Sequence, residues 1–349
     1  MINVKTLLQA FRKLDMIPQN NIIPYLEKVF FFTKNNYTYI SYTNLQITLT
    51  IKLEYNLAIE GCCSLKPLIA LLSNFTEEEV KIKINKQSLI VEGKSSVYKT
   101  AFSVEEDYPK PAKLAGTPIT LFTKEMLESI SKLEPYLATD KNHLSNLHLL
   151  HFNLNANSEV VATNGFVLGI YKPKLNVKKD FKFNLSKNIV SILKKLNVDL
   201  NLYSNGFGDR DHTITFQQFD EKFVIYEAVL PKELPSSISV DSNELSNLLK
   251  IAAVYTDPTP KNDIVSLIPE ENQLILKTSW EERNYESEAV LSCTNSNFLF
   301  PVHFRINYIK LIIKTLNLEE EFILKGIAPN KPFIAENSEF YTLIMPYLN

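Results

Sequence analysis

Three short signatures fall at nearly equal spacing and constrain what this chain can fold into. Leu71-Leu72-x-x-Phe75, Ile192-Leu193-x-x-Leu196 and Ile312-Ile313-x-x-Leu316 lie 121 and then 120 residues apart. Each closes a segment whose apolar residues recur at helical spacing. A fixed period of this kind marks copies of one structural unit. Each copy also leaves through a strand-like run that meets a proline, at Pro109, Pro231 and Pro346.

The order within each copy is helix, strands, helix, strands. Apolar spacing predicts helices over about 3–14, 65–75, 123–138, 186–197, 241–256 and 306–317. Alternation and β-branched content predict strands at about 29–32, two across 37–55 with a break at Thr43-Asn44, then 80–84, 88–92, 97–104, 147–154, 159–171, 200–203, 212–217 and 222–230. Glu105 to Pro118 and Leu230 to Ser237 read as linkers. The expectation is an α+β protein of three repeated modules, 1–115, 116–233 and 234–349, each with two helices and about eight strands. Two helices cannot cover both faces of so much sheet, so the modules are expected to share sheets edge to edge, which also hides edge strands.

Two apolar stretches stand out. Ser158 to Tyr171 reads as two strands joined by Thr163-Asn164-Gly165, where glycine accepts positive φ without steric cost. Phe340 to Asn349 is a strand that stays apolar almost to the last residue, whereas chain ends are usually polar and frayed.

Charge gives the functional clue. The net charge is −2, so the chain as a whole is no polycation, and contact with nucleic acid would need local segregation of charge. The second helix of each module segregates it: Lys66, then Lys187, Lys194 and Lys195, then Lys310 and Lys314, with no Asp or Glu. The first helices are mixed, carrying Lys5, Arg12, Lys132 and Lys250 among acids. These ten cations read as a lining for a phosphate backbone without base readout. Ordinary solvated helix faces are the alternative.

Other chemistry is sparse. The three cysteines, two of them adjacent, form no disulfide framework, and a reducing cytoplasmic setting is expected. No apolar run reaches the roughly 18 residues of a membrane span. His143, His148 and His151 cluster in sequence, but residues three apart on a strand face opposite ways, so no metal site is expected. No phosphate loop or nucleophile elbow occurs. Trp280 reads as packing. No cofactor and no catalysis are expected.

Several stretches resemble one family. Val161-Ala-Thr-Asn-Gly-Phe-Val-Leu168 resembles the Val-Ala-Thr-Asp-Gly-His-Arg-Leu of the bacterial DNA polymerase III β subunit, the β sliding clamp. Glu105-Glu-Asp-Tyr-Pro109, Tyr226-Glu-Ala-Val-Leu-Pro231 and Leu343-Ile-Met-Pro346 resemble its module exits and C-terminus, in the same order along the whole chain. The resemblance implies a head-to-tail homodimeric ring that encircles double-stranded DNA and tethers polymerase. Polymerase and clamp loader would dock through short peptide motifs containing Gln and Leu/Phe. It implies a peptide groove at Leu144, Thr163, Gly165, Phe166, Val167, Leu168, Val224, Ala228, Val229, Leu343, Ile344, Met345, Pro346 and Tyr347, and a dimer seam of Tyr98 and Thr100 against Val254 and Tyr255. The chain departs from the pattern where the family's His-Arg is Phe166-Val167, its Arg-Arg is Glu227-Ala228 and its terminal Arg-Leu is Leu348-Asn349. A groove more apolar and less basic than usual is expected. A clamp-fold interaction scaffold that does not encircle DNA is the competing reading.

Overall fold

The computed structural model describes residues 1–20, 22–85, 87–104, 106–139, 146–218, 222–256, 263–294, 297 and 300–348. The first third holds β1 (Ile2–Asn3), α1 (Val4–Leu14), β2 (Lys28–Lys34), β3 (Tyr37–Thr43), β4 (Ile47–Leu53), β5 (Gly61–Ser64), α2 (Leu65–Ser73), β6 (Glu79–Asn85), β7 (Ser88–Glu92) and β8 (Val97–Ala101). The second holds β9 (Thr120–Phe122), α3 (Lys124–Ser131), β10 (Leu149–Leu154), β11 (Glu159–Thr163), β12 (Val167–Tyr171), β13 (Phe181–Ser186), α4 (Lys187–Leu196), β14 (Leu200–Tyr203), β15 (Gly206–Gly208) and β16 (His212–Phe216). The last holds β17 (Ser236–Asp241), α5 (Ser242–Ala252), β18 (Ile264–Glu270), β19 (Gln273–Trp280), β20 (Tyr285–Thr294), β21 (Val302–Arg305), α6 (Ile306–Leu316), β22 (Glu321–Gly326), β23 (Phe333–Glu336) and β24 (Phe340–Ile344). Among the described residues each third runs strand, helix, four strands, helix, three strands. The fold is α+β.

By compactness the chain divides into two units, 1–128 with 175–179 and 188–219, and 129–174 with 180–187 and 220–349. The first unit contains a four-stranded sheet, β1-β6-β7-β8, and an eight-stranded one, β5-β2-β3-β4-β16-β15-β14-β9. The second contains one twelve-stranded sheet, β13-β10-β11-β12-β24-β23-β22-β17-β20-β19-β18-β21. All pairs are antiparallel. Strands of successive thirds pair directly: β16 lies on β4, with His212 opposite Ile51, and β12 lies on β24, with Leu168 opposite Leu343. Sheets shared edge to edge are therefore present in each unit. The modular boundaries themselves remain the reading of the repeat.

The helices form for local reasons. In α1 the buried residues Val4, Leu7, Phe11 and Leu14 recur every three or four positions, and Asn3 Oδ1 accepts the Thr6 N–H at 3.0 Å as N-cap. Phe11 meets Phe31 of β2 at 5.9 Å between centroids. Each such side chain, fully buried, contributes about 1.5–3 kcal/mol. In α6, Ile306, Ile309, Ile312, Ile313 and Leu316 are buried, and Asn317 ends the helix in the left-handed conformation.

One strand expectation fails. Residues 222–230 form no ladder; Tyr226–Val229 is a short 3-10 turn. Tyr226 anchors the segment instead, its buried hydroxyl donating to Glu159 Oε2 at 2.7 Å.

Candidate functional site

The Thr163–Val167 turn is locked by its own side chains. Asn164 Oδ1 accepts the backbone N–H groups of Phe166 and Val167 at 2.9 and 3.0 Å. The Thr163 hydroxyl donates to the Val167 carbonyl at 2.7 Å and accepts the Gly165 N–H at 3.1 Å. Gly165 sits at φ +89°, a conformation L side chains rarely adopt. Thr163 and Gly165 thus shape the turn, and Phe166 is its outward product, 53% exposed.

The C-terminal strand meets this turn. Met345 N–H donates to the Phe166 carbonyl at 2.8 Å, and Tyr347 N–H donates to the His303 carbonyl at 2.7 Å. Below them Val161, Leu168, Ile170, Tyr226, Ile334 and Leu343 form a buried apolar cluster. Half-buried Phe223, Leu230, Leu234, Tyr341 and Met345 cap it. Val224 is half-buried, and Ala228 and Val229 are exposed on the adjoining 3-10 turn. Pro346 and Tyr347 are half-buried beyond the strand end. The structure so gathers Leu168, Leu343 and Met345, over 170 residues apart in sequence, around one apolar cluster, with Phe166 joined to Met345 through its carbonyl.

Alternation excludes two of the carried-over positions from that face. Val167 and Ile344 oppose each other across the β12–β24 ladder, one residue out of phase with Leu168 and Leu343. Both are buried, and Ile344 packs with Leu245, Ile309 and Ile312 beneath the helices. Leu144 and His143 lie outside the described residues. Gly169 of β12 lets the chain at 133–136 come close: a Cβ there would stand 2.8 Å from Leu133 Cδ2 and 3.2 Å from Tyr136. Tyr136, fully buried, donates its hydroxyl to Thr315 Oγ1 at 3.0 Å, and burial pushes its phenol pKa upward.

Two residues that the sequence pattern does not reveal complete the site. Tyr308, in the first turn of α6, stacks on Phe166 at 6.3 Å and 18°. Arg305, at the end of β21, places its guanidinium 5.3 Å from the Phe166 ring and 5.8 Å from Tyr308. A cation is therefore present, supplied from a distant strand. The basic turn at α6 and the Phe166 turn are each visible in sequence; their proximity is not.

The cationic helices are as read. α2, α4 and α6 contain no Asp or Glu. Lys5, Arg12, Lys66, Lys132, Lys187, Lys194, Lys195, Lys250 and Lys314 are exposed and Lys310 is half-buried. Lys250, Lys310 and Lys314 line one groove of about 430 Å³ along α5 and α6 whose lining holds no carboxylate. Lys66 is instead tied to Asp15 at 2.7 Å. Lys132 lies just past α3, its ammonium 5.4 Å over the Phe340 ring.

Of the residues expected at a seam, Tyr98 and Thr100 lie on β8, and Val254 and Tyr255 in the 3-10 turn that follows α5. Among the described residues β8 has a neighbour on one side only, and it exposes Val97 and Tyr98, with Thr100 half-buried. β20 pairs β17 only through Cys293 and Thr294, leaving Tyr285 to Ser292 open on that side. Beside it Val254 and Tyr255 are exposed, and Tyr255 packs edge-on against Tyr285 at 6.0 Å.

His151 is a packing residue. Its Nδ1 is 2.8 Å from Asn184 Oδ1 and its ring stacks on Phe223 at 4.8 Å; burial holds its pKa below the usual histidine range. Asp209 and His212 close the β15–β16 turn: Asp209 Oδ1 accepts the N–H groups of Asp211 and His212 at 2.7 and 2.6 Å, and the imidazole lies 3.1 Å from the carboxylate. His212 Nε2 in turn accepts from Lys13 Nζ at 3.0 Å.

This architecture is that of a DNA sliding clamp. The chain has the fold of the DNA polymerase III β subunit. It is similar to the β subunit of Streptococcus pyogenes DNA polymerase (15% identity, TM-score 0.91, covering 100% of this chain and 99% of that one). The Pseudomonas aeruginosa sliding clamp bound to griselimycin (16%, 0.89, 100% and 98%) and the Helicobacter pylori β clamp bound to a DNA ligase peptide (16%, 0.86, 100% and 99%) are likewise similar. Comparison with curated protein sequences finds no match.

A family model described as haloacid dehalogenase-like hydrolase matches residues 116–290. That stretch is not a folding unit here. It gives β9 and β14 to one sheet and β10 to β13 to another, and it ends inside β20. Its carboxylate–histidine pair, half-buried Asp209 with buried His212, locks a turn rather than converging on a reacting atom. Among the described residues no group of three or more His, Cys, Asp or Glu could hold a metal, and no helix is long and apolar enough to cross a membrane. The fold over the full chain therefore carries more weight than that match.

Proposed function

We propose that this chain is a non-enzymatic processivity clamp: two copies close head to tail around duplex DNA and tether a polymerase through a short peptide. The carrying observation is the apolar face where β12 meets β24, on a chain with the clamp fold from end to end. Over that buried cluster the exposed Phe166 projects beside half-buried Met345, Pro346 and Tyr347, and exposed apolar side chains grouped in this way usually mark a binding site. The peptide and griselimycin seen on related clamps support a peptide-sized ligand. Met345 suits a site that accepts several partners, because its side chain repacks readily. Ordering a short peptide costs entropy, so affinity is on the order of micromolar. The groove lysines along α5 and α6 supply a weak, salt-sensitive attraction for phosphates. The modules 1–115, 116–233 and 234–349 are the repeating parts of the ring in this reading.

The scaffold alternative draws support from Lys66, whose charge Asp15 neutralises. The deciding experiment is retention on DNA. The loaded protein stays on a nicked circle and leaves once the circle is cut. Equal retention on linear and circular DNA sinks the encircling reading and leaves the scaffold.

A further inference from the structure

The solvent-facing side of β21-β18-β19-β20 forms a concavity of about 860 Å³ that neither the groove nor the helices use. Cross-strand register builds it in rungs. His303, Ser266, Lys277 and Glu288 stand in one row, and Ile264 and the Ser279–Glu286 pair line the hollow beside it. The first row is tied through Ser266 Oγ to His303 Nδ1 at 2.8 Å and Lys277 Nζ to Glu288 at 2.8 Å. The β19–β20 turn raises Glu281 and Glu282 on one side, and Trp280 lines the same hollow. On another side the wall is Tyr347, the residue whose N–H is held by His303 at the end of the peptide groove.

Charge and aromatic content set the ligand class. Glu281, Glu282, Glu286 and Glu288 line the hollow against a single ammonium, Lys277, already engaged by Glu288. The Lys277 pKa is raised, first by the Glu288 hydrogen bond and then by its charge with those of Glu270 and Glu286. Trp280 already carries a cation, the Arg283 guanidinium 4.4 Å from its ring. A basic peptide offers ammonium or guanidinium groups for the carboxylates and for the Trp280 ring.

We infer that this concavity takes the basic flank of the same peptide whose apolar anchor occupies the groove beside Phe166 and Met345. The inference rests on the proposed function and adds to it a sign: partners carry lysine or arginine next to the anchor. The continuity through Tyr347 makes one chain long enough to touch both surfaces, and the second contact works as an effective-concentration gain.

The test uses the full chain and synthetic peptides free of tryptophan. Each has a Gln- and Leu-Phe-containing anchor, flanked on one or the other side by lysines or by serines. At low salt one lysine-flanked peptide binds about fivefold to tenfold tighter than its serine counterpart, and the advantage fades as salt rises. Trp280 is the sole tryptophan, so its fluorescence reports arrival at the hollow directly. It shifts with the lysine-flanked peptide alone. The combined variant Glu281→Gln, Glu282→Gln, Glu286→Gln, which leaves the Lys277–Glu288 pair intact, removes the advantage and keeps serine-flanked affinity. Equal affinity of lysine and serine peptides overturns the inference while the groove stands. So does a lysine advantage that persists in the variant, because the flank then sits elsewhere. If no anchor peptide binds at all, the groove reading fails and this inference goes with it.

Discussion

Single side chains decide how the partner face is presented and how the turns hold. Gly169 is one such position, since any Cβ must displace Leu133 or Tyr136. Gly169→Val is expected to destabilise the fold by about 1–3 kcal/mol through overpacking, seen as a lower denaturation midpoint with unchanged slope. Asp209 is another. Burial works to raise its pKa, but the hydrogen bonds from the His212 side chain and from the backbone of His212 and Asp211 outweigh it, and the net shift is downward. A carboxylate with a folded-state pKa below its unfolded value stabilises above the unfolded pKa, and that stability is lost as pH falls through the folded one. Asp209→Asn is therefore expected to reduce stability at neutral pH and to flatten the acid limb below the ordinary aspartate range. Denaturant titrations of both proteins across that range check this; parallel acid limbs would show that Asp209 does not contribute to it. Phe166 is legible in sequence because Asn164-Gly165 announces a turn and the next residue has to face outward. Arg305 and Tyr308 are not, because their contacts with the turn span more than 130 residues and no local pattern encodes them.

At the scale of elements, period-two alternation sets Leu168 and Leu343 on one face and Val167 and Ile344 on the other, and that much is written in the sequence itself. Transfer by motif position alone is blind to it and places all four in the groove. The segment 222–230 departs from a strand for a different reason: Phe223 and Tyr226 give it strand-like composition, but both pack on the Val161–Leu168–Leu343 cluster and Tyr226 donates to Glu159, which goes with a 3-10 turn instead. Trp280, read as packing, lines an open hollow because it ends β19 at a turn, where composition says little about burial. The six helices, by contrast, are legible from apolar spacing that repeats in three copies, although those expected over 123–138 and 241–256 end at Ser131 and Ala252 and continue only as 3-10 turns. The terminal strand allows a clean test of the partner face. A chain ending at Ile344 keeps β24 paired with β12 and β23. It loses the Met345 and Tyr347 hydrogen bonds, at about 1 kcal/mol each. The expected outcome is a modest fall in melting temperature, an intact oligomer and loss of anchor-peptide binding by calorimetry. Undiminished peptide affinity in the shortened chain would place the groove elsewhere.

For the whole molecule, the proposed ring stands or falls on two open strand edges. The β8 edge exposes Val97 and Tyr98, and the β20 edge lies open from Tyr285 to Ser292 next to Val254 and Tyr255. Exposed apolar edges invite another chain, and natural proteins either blunt them or use them. Here no proline interrupts either strand, and Phe75 and Tyr285 brace the exposed tyrosines from behind. A contact joining one edge type to the other is heterologous, so it closes only if the rotation between copies returns to the start. Closure after two copies gives a dimer of this 40.0 kDa chain, with no free β8 or β20 edge left to drive further growth. Val254→Asp with Tyr255→Asp places carboxylates at that seam, where an unpaired buried charge is expensive. The double variant is expected to sediment as a monomer with an unchanged fold, to keep binding anchor peptide and to lose retention on nicked circular DNA. Losing the dimer and the topological retention together, with peptide binding intact, ties encirclement to this seam. An unchanged dimer removes Val254 and Tyr255 from the interface, and a monomer still retained on circles removes the ring from the mechanism.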